Sequence, residues 1–411
     1  MSLSTWIRNA GAPIALVVSI VAWLPAGYSE RAEIAQEPVG ERSIAVHDGS
    51  QGSDPEPPWK LLALSDKGPY GFATRDLVLV DETREVPATA TFPGAPERTL
   101  PTRVYYPAVP RWLAASPPPE PPVPVAPGGP FPIIAYAHGL TSRGLLARFM
   151  AEHLASHGYI VVAPLFPLTR GDAPGGPTVA DIPNQPGDLA FVMDEVAQHP
   201  DFATSVDTQH RGILGFSAGG LTVVLAAYHP VLHIPGIQAA VAQAPAVMCL
   251  LGPAVYSRPL PMLMITGTAD ELVPVRDVEL AFMRAPAPVI LAELIGGTHS
   301  GFMNMELPFV RNTDTAECQR LLATGATGAG NDEFFQGITA GVGPDAFDGS
   351  TCTPLCSDEF VQTMGATRQL MLARAATLAH FDAHLKGRSF AAQFLTKYLD
   401  REPDVEVFIK R

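Results

Sequence analysis

The chain has 411 residues, 47% of them hydrophobic and 17% charged, enough to enclose a large core and too apolar for an extended, disordered polypeptide. With 27 basic against 41 acidic residues the formal net charge is −14. That balance, with no Lys/Arg-rich run, argues against nucleic acid or an anionic membrane surface as partner, since both need a basic face.

In chain order, residues 1–29 read as an export segment. Arg8 precedes an apolar run from Ala12 to Leu24 that is interrupted by Pro13 and is short for a membrane span, which wants about 20 apolar residues. Cleavage after Gly27-Tyr28-Ser29 would leave a secreted or periplasmic protein; an uncleaved N-terminal anchor is the alternative. Residues 30–58 are polar, rich in Pro, Gly, Ser and acidic side chains, and read as a flexible linker. The catalytic domain is expected over 59–411.

Strands are expected at 76–81 and 100–106, an antiparallel start to a sheet. The proline-rich stretch 117–132 reads as an extended loop. Beyond it, apolar runs at 133–137, 159–163, 212–216, 237–244, 262–266 and 289–294 alternate with amphipathic segments. The first of these sets Leu146, Met150 and Leu154 on one face and stops at His157-Gly158. Continuous apolar strands alternating with helices predict a mostly parallel central sheet covered on both faces, with ligands at the carboxyl ends of the strands.

The chemistry concentrates at those ends. Gly215-Phe216-Ser217-Ala218-Gly219 lies between an apolar strand and a helix-like run, the pattern of a nucleophile elbow. As a bare pentapeptide it would also fit a serine capping a helix, so partners decide the matter. A serine hydroxyl needs a base, and the base an orienting acid. Asp270 follows the strand at 262–266 and His299 the strand at 289–294, giving the order Ser, acid, His. Glu271 is the neighbouring rival for the acid. An oxyanion hole requires backbone N–H groups; these are expected from Ala218 and, in the loop after the third strand, from Leu140, with His138 ordering that loop.

The pairs His153/His157 and His380/His384 have i,i+4 spacing but no evident third ligand, so they read as surface or packing residues. Neither a metal nor a cofactor is expected. Cys249, Cys318, Cys352 and Cys356 form an even set, as two disulfides in an oxidising compartment would require. Three pairings are possible; the expectation is Cys352 with Cys356 and Cys249 with Cys318.

These motifs, together with Phe131-Pro132-Ile133-Ile134 leading to His138-Gly139-Leu140, residues 155–164, Gly267-Thr268-Ala269-Asp270, Gly297-Thr298-His299 and the closing stretch 379–387, resemble the α/β-hydrolase superfamily. Within it the chain is similar to the dienelactone-hydrolase-like and platelet-activating-factor-acetylhydrolase-like esterases. The resemblance covers residues 60 to 411 and implies the α/β-hydrolase fold. Dienelactone hydrolases proper carry Cys where Ser217 stands, and the acetylhydrolases usually have His where Phe216 stands, so neither substrate carries over. Residues 303–364 depart from the pattern and hold three of the four cysteines. They are expected to form a disulfide-bearing lid or cap insertion after the catalytic His.

The resulting expectation is a serine carboxylic-ester hydrolase working through an acyl-enzyme on a small-molecule, lipid or polymeric ester. It would need no nucleic acid and no obligate protein partner. An amidase, peptidase or acyltransferase with the same triad is the alternative, and a non-catalytic binding module a further one.

Overall fold

A computed structural model of the chain describes residues 59–109, 123–142, 148–305, 312–324, 331–350, 352, 355, 356 and 360–411. The expected export segment, the linker, Leu146 and residues 117–122 of the proline-rich stretch lie outside the described residues.

The principal elements are α1 (Trp59–Ser65), β1 (Gly71–Asp81), β2 (Arg98–Ala108), β3 (Phe131–Ala137), α2 (Arg148–Ser156), β4 (Ile160–Pro164), α3 (Gln185–Gln198), β5 (Val206–Phe216), α4 (Ala218–Tyr228), β6 (Ile237–Gln243), β7 (Met262–Gly267), α5 (Val275–Arg284), β8 (Val289–Leu294), α6 (Asp314–Thr324), α7 (Asn331–Thr339), α8 (Ala366–Leu385), α9 (Ser389–Gln393) and β9 (Val405–Lys410). The strands form one sheet in the order β1-β2-β4-β3-β5-β6-β7-β8-β9. Neighbours from β4 through β8 run parallel, while β1, β2 and β9 join antiparallel at the flanks.

Burial explains the two kinds of strand. Residues of β1 alternate between half-buried and exposed along nearly its whole length, as an antiparallel edge strand with one wet face should. Those of β3 and β4 are buried throughout. Along β3 the side chains split by parity. Ile133, Ala135 and Ala137 join a core with α3, α4 and α5, and Ile134 and Tyr136 join the opposite core with α1, α2 and α8. Burying each such aliphatic side chain contributes about 1.5–3 kcal/mol.

The parallel strands lie where the apolar runs predict them, with shifted ends: β5 begins earlier, at Val206, and its first half is partly solvated. The closing strand β9 was not anticipated. It pairs with β8, Leu291 facing Phe408, and completes the sheet with the last residues of the chain.

A buried ion cluster ties the antiparallel flank to α3. Arg98, fully buried on β2, donates to both carboxylate oxygens of Asp181 (3.0 and 2.8 Å) and of Asp188 (2.7 and 2.6 Å). Arg84 adds a 2.8 Å bond to Asp188. Charges this deep are tolerable because the carboxylates meet the guanidinium with paired hydrogen bonds.

Helix α7, within the expected insertion, is packed into the body of the protein. Phe334 and Ile338 of α7 are buried in the main core, and the Ile338 carbonyl accepts a hydrogen bond from His229 Nε2 (2.9 Å). The expected cysteine pairing is corrected. The disulfides are Cys249–Cys352 and Cys318–Cys356, with Cα separations of 5.1 and 5.7 Å. Chain placement explains the exchange. Residues 346–348 run antiparallel beside 250–252, through Gly252 N–H to Ala346 O and Asp348 N–H to Leu250 O (both 2.9 Å), which delivers Cys352 to Cys249. Four residues on, the Cys356 N–H is held by Glu271 O (2.9 Å), on another loop, where α6 presents Cys318.

Candidate active site

Ser217 stands between β5 and α4 with φ 57° and ψ −121°, a backbone conformation that residues with a side chain rarely adopt. The flanking glycines make the turn possible. A methyl group on Gly215 would lie 2.1 Å from Gly219 O, and one on Gly219 would lie 2.0 Å from Ala137 O. The elbow is fastened to the end of β6: Ser217 N–H donates to Gln243 O (2.9 Å), and Ser217 O accepts from Ala246 N–H (3.0 Å). A serine held in this way projects from the sheet's carboxyl edge.

Asp270 and His299 follow β7 and β8, and both are buried. His299 Nδ1 lies 2.8 Å from Asp270 Oδ2. The other carboxylate oxygen, Oδ1, accepts from the N–H groups of Leu272 (2.9 Å) and Val273 (2.7 Å). With Nδ1–H given to the carboxylate, Nε2 is left as the basic nitrogen of the ring. Burial works against a charged His299, but the charge and hydrogen bond of Asp270, with Asp314 and Glu317 adding, outweigh it and raise its pKa above the ordinary value. Burial lifts Asp270 as well, against the pull of His299. The Phe216 ring, one residue before the serine, packs on the His299 ring at 4.7 Å between centroids, so the histidine stands beside the elbow.

Glu271 is turned elsewhere, with Oε1 accepting from Thr315 Oγ1 (3.2 Å). Asp270 is therefore the carboxylate that meets His299.

The loop after β3 approaches the elbow closely: a methyl group on Gly139 would sit 3.2 Å from Ser217 Cβ. Thr141 N–H is bonded to Thr169 O and Ser142 N–H to Gly139 O. Leu140 N–H has no carbonyl acceptor among the described residues, and Ala218 N–H, opening α4, has none within its helix. His138 orders this loop. Its Nδ1 donates to Gly139 O (2.8 Å) and its Nε2 accepts from Phe166 N–H (3.0 Å), and burial lowers its pKa to about 4, keeping the ring neutral.

The two histidine pairs lie apart from this site. In each pair the ring centroids lie 4.7 Å apart with the rings steeply inclined to one another, and His157 Nε2 is bonded to Asp66 O and His380 Nε2 to Pro261 O. Among the described residues no cluster of three or more His, Cys, Asp or Glu is disposed to hold a metal ion.

Sequence reasoning missed the two side chains that hold the histidine loop. Gln369 of α8 accepts from Thr298 N–H (2.9 Å) and donates to Thr298 O (2.6 Å), gripping the residue before His299 on both sides. Gly301 makes room for it, since a methyl group there would lie 1.9 Å from Gln369 Oε1. Asp314, fully buried at the start of α6, accepts from the N–H groups of His299 (2.7 Å) and Ser300 (2.8 Å). A run such as Asn312-Thr313-Asp314 signals only a helix start, and a lone glutamine inside a helix signals nothing.

Comparison with known proteins bears on this arrangement. The chlorophyllase family model matches residues 105–231, a stretch that includes the loop after β3 and the serine elbow but not Asp270 or His299. Chlorophyllase-1 of Arabidopsis thaliana is 28% identical over 94 residues, 23% of this chain; the match spans only 28% of that protein's length. Among solved structures, a ferulic acid esterase from Streptomyces cinnamoneus superposes with a TM-score of 0.53 at 20% identity, covering 83% of this chain and 97% of the other. The fold is that of the α/β-hydrolases. Ser217, Asp270 and His299 come in that order along the chain. Among the described residues no helix is long and apolar enough to cross a membrane.

Proposed function

We propose that this chain is an exported serine carboxylic-ester hydrolase of the esterase or lipase type. The observation that carries the reading is the 2.8 Å pair of His299 Nδ1 and Asp270 Oδ2 beside a strained serine elbow. The chlorophyllase family match and the ferulic acid esterase neighbour support an esterase-type hydrolase.

In the proposed reaction Ser217 Oγ attacks the ester carbonyl carbon while its proton passes to His299 Nε2. The negative charge on the carbonyl oxygen is met by the N–H groups of Leu140 and Ala218, the latter at the positive end of α4. Asp270 holds the imidazolium. The bond to the alcohol then breaks, and His299 returns the proton to the departing oxygen. Water, deprotonated by His299, attacks the acyl-enzyme, and the carboxylic acid leaves as Ser217 recovers its proton. The chain's own residues supply every proton transfer in this scheme.

Export is supported by two disulfides, which suit an oxidising compartment. The described part of residues 303–364 is proposed to line the acyl or alcohol pocket, since α7 is packed into the main core.

The test is Ser217→Ala, assayed on short aryl esters and on an acyl chain-length series, with a serine-directed phosphonate as label. Loss of turnover by several orders of magnitude and loss of labelling are expected. A variant that still hydrolyses these esters overturns the assignment of Ser217. Preferential cleavage of amides by the unaltered protein would favour the amidase reading instead.

A further inference from the structure

The insertion reaches into the active site through one side chain. Asp314 is a buried carboxylate with no ion-pair partner among the described residues, and its hydrogen bonds are spent outside its own helix. Oδ2 accepts from His299 N–H (2.7 Å) and Glu271 N–H (3.3 Å), and Oδ1 accepts from Ser300 N–H (2.8 Å). A residue that merely capped α6 would bond the first turn of α6. This one bonds the acid loop and the histidine loop together. Its own N–H is held by Asn312 Oδ1 (2.7 Å), and Asn312 Nδ2 donates to Ala269 O (2.7 Å), so residues 312–314 touch both loops at several points. One turn further along α6, Cys318 is bridged to Cys356, whose N–H also reaches Glu271 O.

Resting on the triad reading above, we infer that Asp314 is a positioning residue for the general base: it fixes the backbones that carry Asp270 and His299 in mutual register, and its charge steadies the imidazolium formed during the reaction. The groups that face His299 electrostatically are Asp270, Asp314 and Glu317, all acidic and all favouring the protonated ring, against the effect of burial. Asp270 acts on the ring by direct contact. Asp314 acts through the main chain of residues 299 and 300, and no other carboxylate among the described residues makes those bonds. The arrangement gives the cysteine-bearing insertion a second task besides shaping a pocket. It braces the catalytic constellation from outside the sheet.

The experiment compares Asp314→Asn and Asp314→Glu with the unaltered full-length protein. For each, kcat and KM on an aryl ester are measured across pH, and the rate of phosphonate labelling is normalised to the fraction of protein that can be labelled at all. Asp314→Asn keeps the shape and removes the charge, leaving an NH₂ group to face N–H donors. It should lower kcat by about 10- to 100-fold with little change in KM, as small misplacements of catalytic groups do. It should also move the acid limb of kcat/KM to lower pH, because the imidazolium loses a nearby negative charge. Asp314→Glu restores the charge and should return the acid limb toward its original position.

A purely structural Asp314 would reduce the amount of folded protein and leave the acid limb where it was; that outcome overturns the inference, as does an Asp314→Asn protein with unaltered kcat. If Asp314→Asn does not fold, Asp314→Ser, which also removes the charge but keeps an acceptor oxygen, takes its place: an acid limb where the unaltered protein has it, together with a full labelling rate, overturns the inference. Failure of the triad reading is seen separately, as ester hydrolysis that survives Ser217→Ala.

Discussion

His299 Nδ1 and Asp270 Oδ2 lie 2.8 Å apart, with neither residue more than 4% exposed. The carboxylate has no freedom to turn, because its second oxygen is bonded to two main-chain N–H groups. Asp270→Asn would preserve the shape and present an amide NH₂ or carbonyl to Nδ1, disturbing the tautomer that leaves Nε2 basic. We expect kcat to fall by about 10⁴-fold, the magnitude known for the same change in a serine protease triad, with KM and the folded circular dichroism spectrum nearly unchanged. Loss of less than tenfold would assign the orienting role elsewhere.

The same pair sets the pH dependence. Burial disfavours the imidazolium, but Asp270, Asp314 and Glu317 together more than offset it, so the His299 pKa lies above the ordinary histidine value of 6.5. In the proposed mechanism the neutral ring is the base, so activity should be lost as pH falls through that raised value. The acid limb of kcat/KM, which reports the free enzyme, should have its midpoint above pH 6.5. A midpoint below it would mean that burial, not the carboxylates, governs the ring.

The elbow stores strain at Ser217, where φ of 57° and ψ of −121° cost about 1–3 kcal/mol for a residue bearing a Cβ. Ser217→Gly and Ser217→Ala should both be inactive. Only the glycine variant relieves the backbone, and it should be more stable than the alanine variant by about 1 kcal/mol in urea unfolding. Equal midpoints would show that the turn is unstrained.

The two disulfides close overlapping loops with sequence separations of 103 and 38 residues. Paired Cys→Ser replacement at 249 and 352, or at 318 and 356, should each destabilise the fold by about 2–5 kcal/mol, the longer loop losing more. The second replacement should also reduce kcat, because it frees α6 beside Asp314. Peptide mapping without reduction should recover Cys249 with Cys352; a peptide linking Cys352 to Cys356 would contradict the pairing.

The fold was legible wherever burial is total. Runs such as Ile133-Ile134-Ala135 and Met262-Leu263-Met264 have no interpretation except a covered strand, and the loops that follow them carry Ser217, Asp270 and His299. The edges were less readable. In β9 the apolar residues include the partly exposed Phe408 and Ile409, a pattern too short and too mixed to announce a strand on its own. Cysteine pairing depends on where distant loops come to rest, and a spacing of four residues invites a local bridge that the antiparallel contact at 250–252 and 346–348 forbids. Asp314 and Gln369 were invisible for a related reason: a polar residue inside a helix looks alike whether its side chain meets solvent or another loop's main chain.

The two holders of the histidine loop, Asp314 and Gln369, both come after His299 in the chain, as does β9, which pairs along the strand leading to it. Order of synthesis therefore separates possession of the triad from its assembly. A ribosome that has passed residue 299 has made all three members of the proposed triad, yet the grip of Asp314 on the histidine loop comes only with α6, and that of Gln369 only when about seventy further residues have emerged and α8 docks. On the proposed mechanism, competence therefore waits for α8, and a chain ended before Gln369 would carry all three proposed catalytic side chains and still be idle.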